Sequence, residues 1–507
     1  MSAAAGTSHR GLITVSIMLA TVMQVLDMTI ANVALPHMQG NLSATQDQIA
    51  WVLTSYIVAA AIMTPPTGYL AARFGRKTLF AVAVIGFTLS SMLCGAAVSL
   101  HELVLFRIFQ GMFGAGLVPL SQAVLLDTYP RELHGRAMAL WGIGVMVGPI
   151  LGPTLGGYLT EYYNWRWIFY INVPFGLLAL LGILAFVPQT QRNRQRPFDL
   201  FGFALLSIAI GTMQLMLDRG QTLDWFSSTE ILLEAVAAGL FLYLFLVHMF
   251  TARHPFIEPG LFRDRNFAIG LFIMFLISII LLSTLTLLPP FLQNLMGYPV
   301  ITTGFVLAPR GMGTMASMFL VGAISGKVDT RLMILAGMGL TALSLWEMAG
   351  FDLNVSTWTI VHTGIVQGLG LGLIFVPLST ITFTTLAPHY RNEGTAMFSL
   401  MRNLGSSVGV SIMITLLGRG TQVNHAILGE HVNPYNPAFT ATWTDHSARG
   451  LQLLNGEVTR QAAAIAYLDD YRSMMIIILL AIPLLALLRG PRAQAAIQKN
   501  QAAFAAD

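Results

Sequence analysis

Two side chains of opposite charge stand inside long apolar stretches of this 507-residue sequence. Asp27 lies in the first stretch, and Arg107 lies in a later one, three residues before Gln110. A charge in the core of a lipid bilayer costs about 2.5–3.5 kcal/mol on insertion scales, so each of them needs a reason to be there. Because a buried arginine binds carboxylates or helix carbonyls, we expect Arg107 to pair with Asp27 and Gln110 to share the helix face of Arg107.

Asp27 is the residue best suited to carry a proton. Removal of a carboxylate from water disfavours its charged form, so a buried Asp27 could take up and release a proton near neutral pH. Ile30, Ala31 and Ala34 share its helix face, and the small alanines let another helix approach closely. A structural role stays open for both charges: Asp27 could bond to a neighbouring helix, and Arg107 could reach the membrane surface from its helix end.

The composition of the chain indicates a membrane protein. Apolar residues make up 55% of the sequence and charged residues only 10%, against about 25% charged residues in soluble domains. This excludes a soluble enzyme, a disordered chain and a nucleic-acid binder. The single cysteine, Cys94, excludes an internal disulfide and a cysteine metal cluster. Because metal-binding, nucleotide-binding and hydrolase motifs are also missing, we expect no cofactor, no metal and no catalytic residue.

The apolar stretches predict fourteen transmembrane helices, because a bilayer core about 30 Å thick needs roughly 20 residues per helix. Most of the 27 lysines and arginines fall in one set of alternate loops, which predicts that both termini are cytoplasmic. The last two predicted helices cover residues 395–418 and 470–489, so residues 419–469 form one long outward loop. Residues 451–468 within that loop have a composition that a helix could adopt.

Two glycine-containing basic turns, at residues 68–77 and 322–331, suggest that the chain consists of two related halves. Each turn follows the second helix of its half, as expected for a transporter built from two similar bundles. We predict four parts: an N-terminal six-helix bundle at 1–188, a linker with two extra transmembrane helices at 189–265, a C-terminal six-helix bundle at 266–489 that includes the loop 419–469, and a cytoplasmic tail at 490–507.

Glycines recur at every fourth position of the fifth predicted helix. Gly148, Gly152 and Gly156 form a ridge of small residues that lets another helix approach closely. Pro149 and Pro153 lack amide hydrogens and weaken the hydrogen-bond ladder of the same helix. The pattern predicts a close-packing seam, and we add the hypothesis that this helix bends as a hinge.

Taken together, these motifs resemble those of the major facilitator superfamily, and within it the fourteen-helix drug:proton antiporters of the EmrB/QacA type. The resemblance covers nearly the whole chain and rests on residues 26–36, 68–77, 107–111, 148–157, 165–174, 217–225 and 402–405. It implies an all-α membrane protein with the major facilitator fold, in which two six-helix bundles and two extra helices make 14 transmembrane helices.

The resemblance also implies a function. The expected protein is a proton-coupled antiporter that exports hydrophobic or amphipathic drugs across the inner (cytoplasmic) membrane by alternating access, driven by the proton gradient. Asp27 and Arg107 would couple protons, and Asp27, Asn32 and Gln110 would contact the drug. The residues expected to control the conformation lie on the two turns and the glycine ridge: Gly68, Arg73, Gly75, Arg76, Asp329, Gly148, Pro149, Gly152 and Gly156.

One residue departs from the family pattern. Ala72 stands where the family usually carries an acidic residue that helps to lock the cytoplasmic side. Two expectations follow: either the cytoplasmic gate is weaker in this chain, or Asp329 in the second basic turn supplies the latch instead.

The long outward loop is similar to that of Gram-negative family members that work as the inner-membrane pump of a tripartite efflux system. The resemblance thus implies an EmrA-like periplasmic adaptor and a TolC-like outer-membrane channel as partners, in addition to drugs, protons and membrane lipid. Three alternatives stay open: an exporter of one siderophore or metabolite, an uptake symporter, and a membrane-embedded enzyme.

Overall fold

The chain folds into helices joined by short turns. The computed structural model describes residues 10–190, 198–325, 327–433, 443 and 447–489. The helices of the first half are α1 (Arg10–Asn41), α2 (Gln46–Met63), α3 (Pro66–Phe74), α4 (Arg76–Ala96), α5 (Leu100–Gly114), α6 (Leu117–Thr128), α7 (His134–Tyr162), α8 (Trp167–Tyr170) and α9 (Asn172–Phe186).

Two further helices separate the halves, and six more complete the chain. The separating helices are α10 (Leu200–Arg219) and α11 (Thr229–Thr251). The second half contains α12 (Arg265–Pro290), α13 (Val300–Ile324), α14 (Thr330–Met348), α15 (Thr357–Thr384), α16 (Arg391–Glu430) and α17 (Ala448–Ala481).

Thirteen spans in the described residues are long and apolar enough to cross a membrane, and the bent pair α2–α3 makes fourteen. The direction of the helix axis changes by 56° between α2 and α3. The bend follows from Pro65 and Pro66, because proline has no amide hydrogen to continue the ladder. The segments α5 and α6 together form one span, as do α8 and α9. The count agrees with the predicted fourteen, and the chain is a multi-pass membrane protein.

Each half forms a six-helix bundle, and the two bundles share a pattern of contacts. In the first bundle α1 packs against α7 and α9, while α2 packs against α5. In the second bundle α12 packs against α16 and α17, while α13 packs against α15. The first and fifth spans thus pair in both bundles, as do the second and fourth. The first and sixth spans also pack together in both bundles.

The extra helix α10 contacts both bundles, through α2 on one side and α16 on the other. The Thr54 hydroxyl of α2 donates a hydrogen bond to Asp218 of α10. The Ser411 hydroxyl of α16 donates to the carbonyl of Leu217, also on α10, at 2.7 Å. The end of α10 is therefore bonded to the two bundles at adjacent residues.

The prediction of a long outward loop at 419–469 is wrong for most of its length. Helix α16 has 40 residues and continues to Glu430, and α17 has 34 residues and begins at Ala448. The prediction measured each span by its apolar core, but a helix can continue into water once it has crossed the bilayer. The helix proposed for residues 451–468 is present as part of α17.

Several predictions fall outside the described residues. They are the C-terminal tail at 490–507, residues 191–197 of the linker, and residues 434–442 and 444–446 of the loop at 419–469.

Candidate functional site

Asp27 lies at the centre of a polar cluster inside the first bundle. Its Oδ2 accepts a hydrogen bond from Arg107 Nη1 at 2.7 Å, and the two side chains form an ion pair. Its Oδ1 accepts from Gln110 Nε2 at 2.9 Å and from Asn172 Nδ2 at 2.8 Å. These residues come from α1, α5 and α9, and we call them the Asp27 cluster. The side chains of Asp27 and Arg107 are 0% and 1% exposed, so the pair is shielded from solvent.

Arg107 has further partners that fix its guanidinium group. Its Nε donates to the carbonyl of Val52 on α2 at 3.0 Å, and its Nη1 also donates to Gln110 Oε1 at 2.8 Å. The guanidinium carbon lies 4.3 Å from the centre of the Tyr56 ring, within the range of a cation–π interaction. Arg107 therefore joins α1, α2 and α5, and loss of Asp27 would leave a buried charge without its counterion.

The ion pair predicted between Asp27 and Arg107 is present, and Gln110 lies on the predicted face. Two details differ from the expectation. Asp27 accepts hydrogen bonds from three side chains rather than from Arg107 alone. Asn32 is exposed, bonds to none of the cluster, and lies five residues along α1, on a different helix face.

Asn172 is the member of the cluster that residue reasoning did not select as a site residue. It is fully buried, and its Nδ2 bonds to Ser91 at 2.9 Å as well as to Asp27. Asparagine carries no charge, so its position near the start of an apolar helix attracts less attention than Asp27 does. A buried amide without an evident partner is nevertheless a signal, because it requires hydrogen bonds.

The first basic turn lies where the two bundles meet, at the end of the molecule that carries residues 73–77, 327–331 and Arg391, which we call the basic end. Gly75 adopts a φ of 88°, a left-handed conformation that glycine adopts readily. A Cβ on Gly68 would lie 2.8 Å from the Cα of Glu393, so only glycine allows this approach of α3 to α16. Arg73 donates to the hydroxyl of Tyr69 at 2.7 Å.

Asp127 connects the bundles at the basic end. Its carboxylate forms ion pairs with Arg76 of the first bundle and with Arg391 of the second, the latter at 2.5 Å. Arg76 is buried and also donates to Asn392 at the start of α16. Residue reasoning missed Asp127, because acidic residues at helix ends are common and its two partners lie far apart in the sequence.

Asp329 does not reach the first basic turn. It caps α14 by accepting from the backbone amide of Arg331, and it pairs with the Arg331 side chain at 3.2 Å. Partial burial alone would raise the pKa of Asp329, but the hydrogen bonds and charge of Arg331 outweigh it and hold the pKa below its usual value. In this structure the ionic contact between the two bundles is made by Asp127 and not by Asp329.

The glycine ridge of α7 packs against α1, directly beside the Asp27 cluster. A Cβ on Gly148 would lie 2.6 Å from Val25, one on Gly156 would lie 2.8 Å from Ile30, and one on Gly152 would clash with the Thr29 hydroxyl. That hydroxyl donates to the carbonyl of Gly148 at 3.1 Å. Helix α7 is continuous through residues 149 and 153, and its ridge is the close-packing seam that the spacing predicts.

The opposite side of α7 contacts the second bundle. A Cβ on Gly142 would lie 2.8 Å from the sulfur of Met318, and the rings of Trp141 and Phe375 stack with their centres 6.0 Å apart. Arg136 donates to the carbonyl of Gly322 at 3.2 Å. One helix therefore packs against both the acid-bearing α1 and the second bundle.

Comparisons with known proteins agree with this fold and site. Residues 17–410 match the family model described as Major Facilitator Superfamily. The multidrug export protein EmrB of Escherichia coli (strain K12) is 38% identical over 462 residues, which cover 89% of each chain. The fatty acid resistance protein FarB of Neisseria gonorrhoeae is 35% identical, with 94% of this chain and 96% of FarB covered.

A solved structure shows the same fold at low sequence identity. The human organic anion transporter MFSD10 (TETRAN) superposes with a TM-score of 0.62 at 14% identity, with 94% of this chain and 99% of that chain covered. The fold and the buried ion pair thus define a membrane transporter. The chain belongs to the major facilitator superfamily, where its relatives are EmrB-type transporters.

Proposed function

We propose that the chain is a proton-driven exporter of hydrophobic or amphipathic drugs in the inner (cytoplasmic) membrane, with both termini in the cytoplasm. The observation that carries the proposal is the Asp27 cluster, in which an acid and an arginine are buried together between helices. Ionisable groups at such depth are costly and mark the paths of ions or substrates. Drugs are the proposed cargo because the similar E. coli protein is named a multidrug export protein.

Protonation of Asp27 is the proposed coupling step. A proton on Asp27 removes the charge that holds the Arg107 guanidinium, whereas Arg107 can keep its bond to the Val52 carbonyl on α2. Neutralisation thus loosens α1 from α5 without separating α5 from α2. Because Thr29, two residues after Asp27, bonds to Gly148, a shift of α1 acts directly on α7 and on the contacts that α7 makes with the second bundle.

The contacts at the basic end, which we assign to the cytoplasmic side, support alternating access as the proposed mechanism. Asp127 links Arg76 to Arg391, and Gly68 lets α3 lie against the start of α16. These contacts support a state in which the cytoplasmic side is closed. Breakage of them would let one bundle rock against the other and open the cavity to the cytoplasm. Gly75 and Arg73 would keep the turn in shape during that motion.

The Asp27→Asn variant tests the proposal in reconstituted vesicles that carry a pH gradient. The asparagine keeps the size of the side chain and can accept from Arg107, but it cannot exchange a proton. We expect the wild type to drive efflux of a cationic dye, and we expect the variant to insert normally but lose gradient-driven efflux. Gln39→Ala is the control on the same helix, outside the cluster. Full gradient-driven efflux by Asp27→Asn would refute the role of Asp27.

We further propose that the protein is the inner-membrane pump of a tripartite efflux system, with an EmrA-like adaptor and a TolC-like channel. The extensions of α16 and α17, residues 419–430 and 448–466, pack against each other, since a Cβ on Gly420 would lie 3.1 Å from that of Ala466. We call these extensions the distal hairpin. The hairpin carries exposed apolar side chains at Val423, Ile427 and Leu453, which suit contact with another protein.

A substitution of those exposed residues tests the adaptor contact more sharply than a deletion of 425–465. Such a deletion would remove Ala462, which is fully buried, and Arg460, which bonds to the Leu295 carbonyl at 3.0 Å. We expect the triple variant Val423→Asn, Ile427→Asn, Leu453→Asn to lose co-purification with the adaptor while the melting temperature stays near that of the wild type. Unchanged co-purification would count against the hairpin as the docking surface.

An exporter of one narrow class of compound is the second candidate. The name of the Neisseria relative, a fatty acid resistance protein, favours it. A resistance panel of chemically diverse drugs separates the two functions: a multidrug exporter protects against several unrelated compounds, and a narrow exporter protects against one class.

A further inference from the structure

A second arginine lies buried inside the other bundle, without an acid. Arg310 of α13 is 6% exposed, and its Nη2 donates to the carbonyl of Leu281 on α12 at 3.3 Å. Among the described residues it forms no ion pair with a carboxylate. Asp470, the buried acid on α17, is not bonded to it. A buried cation whose counterion is missing is unfavourable, so the interior must be able to admit a compensating charge.

The neighbouring helix α15 packs closely against Arg310 at two glycines. A Cβ on Gly364 would lie 3.6 Å from the Cβ of Arg310, and one on Gly368 would clash with the backbone carbonyl of Arg310. Gln367, next to Gly368, is 0% exposed. Because these two glycines let α15 lie close to α13, the buried Gln367 amide and the buried Arg310 guanidinium are on adjacent helices.

Three buried polar side chains on the helices next to Arg310 have unsatisfied atoms. Both the oxygen and the nitrogen of the Gln367 amide, the Ser283 hydroxyl and the Tyr471 hydroxyl have no hydrogen-bond partner among the described residues. Ser283 follows Leu281 by two residues on α12, and Tyr471 on α17 is close enough to Arg310 to interact with its charge. We call Arg310, Gln367, Ser283 and Tyr471 the Arg310 cluster. Buried polar atoms in native proteins nearly always have a hydrogen-bond partner, so these atoms are available to bind a ligand or water.

The Arg310 cluster uses spans that correspond to those around the Asp27 cluster. The Asp27 cluster comes from α1, α5 and α9, with Arg107 also bonded to a carbonyl of α2, and the Arg310 cluster comes from α12, α13, α15 and α17. The fourth span carries a Gln-Gly pair in each case, Gln110-Gly111 and Gln367-Gly368. The difference is the acid, which Asp27 supplies to the first cluster and which Ser283 and its neighbours cannot supply to the second.

We propose that the Arg310 cluster binds an anionic group, with the Arg310 guanidinium as the counterion and the Gln367 amide and the two hydroxyls as hydrogen-bond donors. Water could satisfy the amide and the hydroxyls, but it could not neutralise the guanidinium. A carboxylate matches the fork of an arginine, and hydrogen bonds between charged groups are about twice as strong as neutral ones. The source is either the carboxylate of an exported compound or a small inorganic anion. The first source rests on the proposed export function, and the second does not.

Binding to the full chain in lipid nanodiscs tests the proposal. The probes are octanoate and octanamide, which differ in charge but hardly in size, and chloride measured against gluconate. If cargo supplies the anion, we expect octanoate to bind the wild type at least tenfold more tightly than octanamide does. Arg310→Gln should remove that difference, and Arg310→Lys should retain part of it. If an inorganic anion is the source, chloride should raise the melting temperature of the wild type and not that of Arg310→Gln.

A second variant guards against misfolding of Arg310→Gln. Gln367→Leu keeps the charge and removes the amide, and it should weaken the anion effect severalfold. Equal affinity for octanoate and octanamide, together with no effect of chloride on the folded wild type, would overturn the proposal. Gradient-driven efflux of a cationic dye by the same purified protein in closed vesicles separates the two claims, because its loss would contradict the export function and leave the anion result as it stands.

Discussion

At the scale of single residues, the polar partners of Asp27 decide what that acid can do. The residue types alone predicted the pair of Asp27 with Arg107 and the position of Gln110, because intramembrane charges need partners. They did not select Asn172, which lies 145 residues away from Asp27 in the sequence. The choice among distant neutral side chains depends on which helices become neighbours, and spacing within one helix carries no such information.

Removal of the Asn172 amide should destabilise the first bundle. Asn172→Ala deletes a donor to Asp27 and a donor to Ser91 and leaves buried oxygens with fewer partners, which costs about 1–3 kcal/mol. We expect a lower melting temperature in detergent. Asn403→Ala, on a partly buried site of α16 outside the cluster, is the control. Equal melting temperatures for the two variants would contradict the importance of the buried amide.

At the scale of helices, the spacing of glycines predicted how one helix packs, whereas the length of the apolar runs underestimated two of the helices. The four-residue repeat of glycines on α7 correctly predicted a packing seam, since 3.6 residues per turn aligns such positions. The repeat did not identify α1 as the partner helix, because a ridge of small residues lets any neighbouring helix approach closely. The lengths of α16 and α17 were underestimated, because apolarity marks only the part of a helix that lies in lipid.

A larger residue on the ridge should separate α7 from α1. Gly152→Val places a branched side chain against the Thr29 hydroxyl, and overpacking of this kind costs typically about 1–3 kcal/mol. We expect gradient-driven efflux to fall at least tenfold. Gly157→Val is the matched control on the same helix, because a Cβ there has nothing within 4 Å. Similar efflux by both variants would show that the close contact is dispensable.

At the scale of the whole molecule, the two bundles meet through a few polar residues at the basic end and through α7. The composition and the repeated turns predicted two related bundles, and the fold has them. The contacts between the bundles were not predictable from the sequence. Asp127 binds Arg76 of one bundle and Arg391 of the other, and no nearby residue in the sequence distinguishes it from other acids at helix ends. Asp329 does not make the contact expected of it in this structure, because Arg331, two residues away, pairs with its carboxylate. Its role in gating stays a prediction.

Neutralisation of Asp127 should loosen the basic end. Asp127→Asn removes ion pairs to Arg76 and Arg391, and partly exposed pairs contribute about 0.2–1 kcal/mol each. With spin labels at the exposed positions 74 and 328, we expect a several-fold larger population of long distances. Asp329→Asn is the control, because its pair is confined to one turn. A distance distribution like that of the wild type would show that Asp127 does not hold the bundles together.

The most direct test of the central claim is the release of protons from the purified protein when a drug is added. If Asp27 binds the proton that is exchanged for cargo, the wild type will release protons into a weakly buffered solution, and Asp27→Asn will release none while still binding the drug. Equal proton release from both proteins would contradict the account and would move the coupling site elsewhere in the molecule.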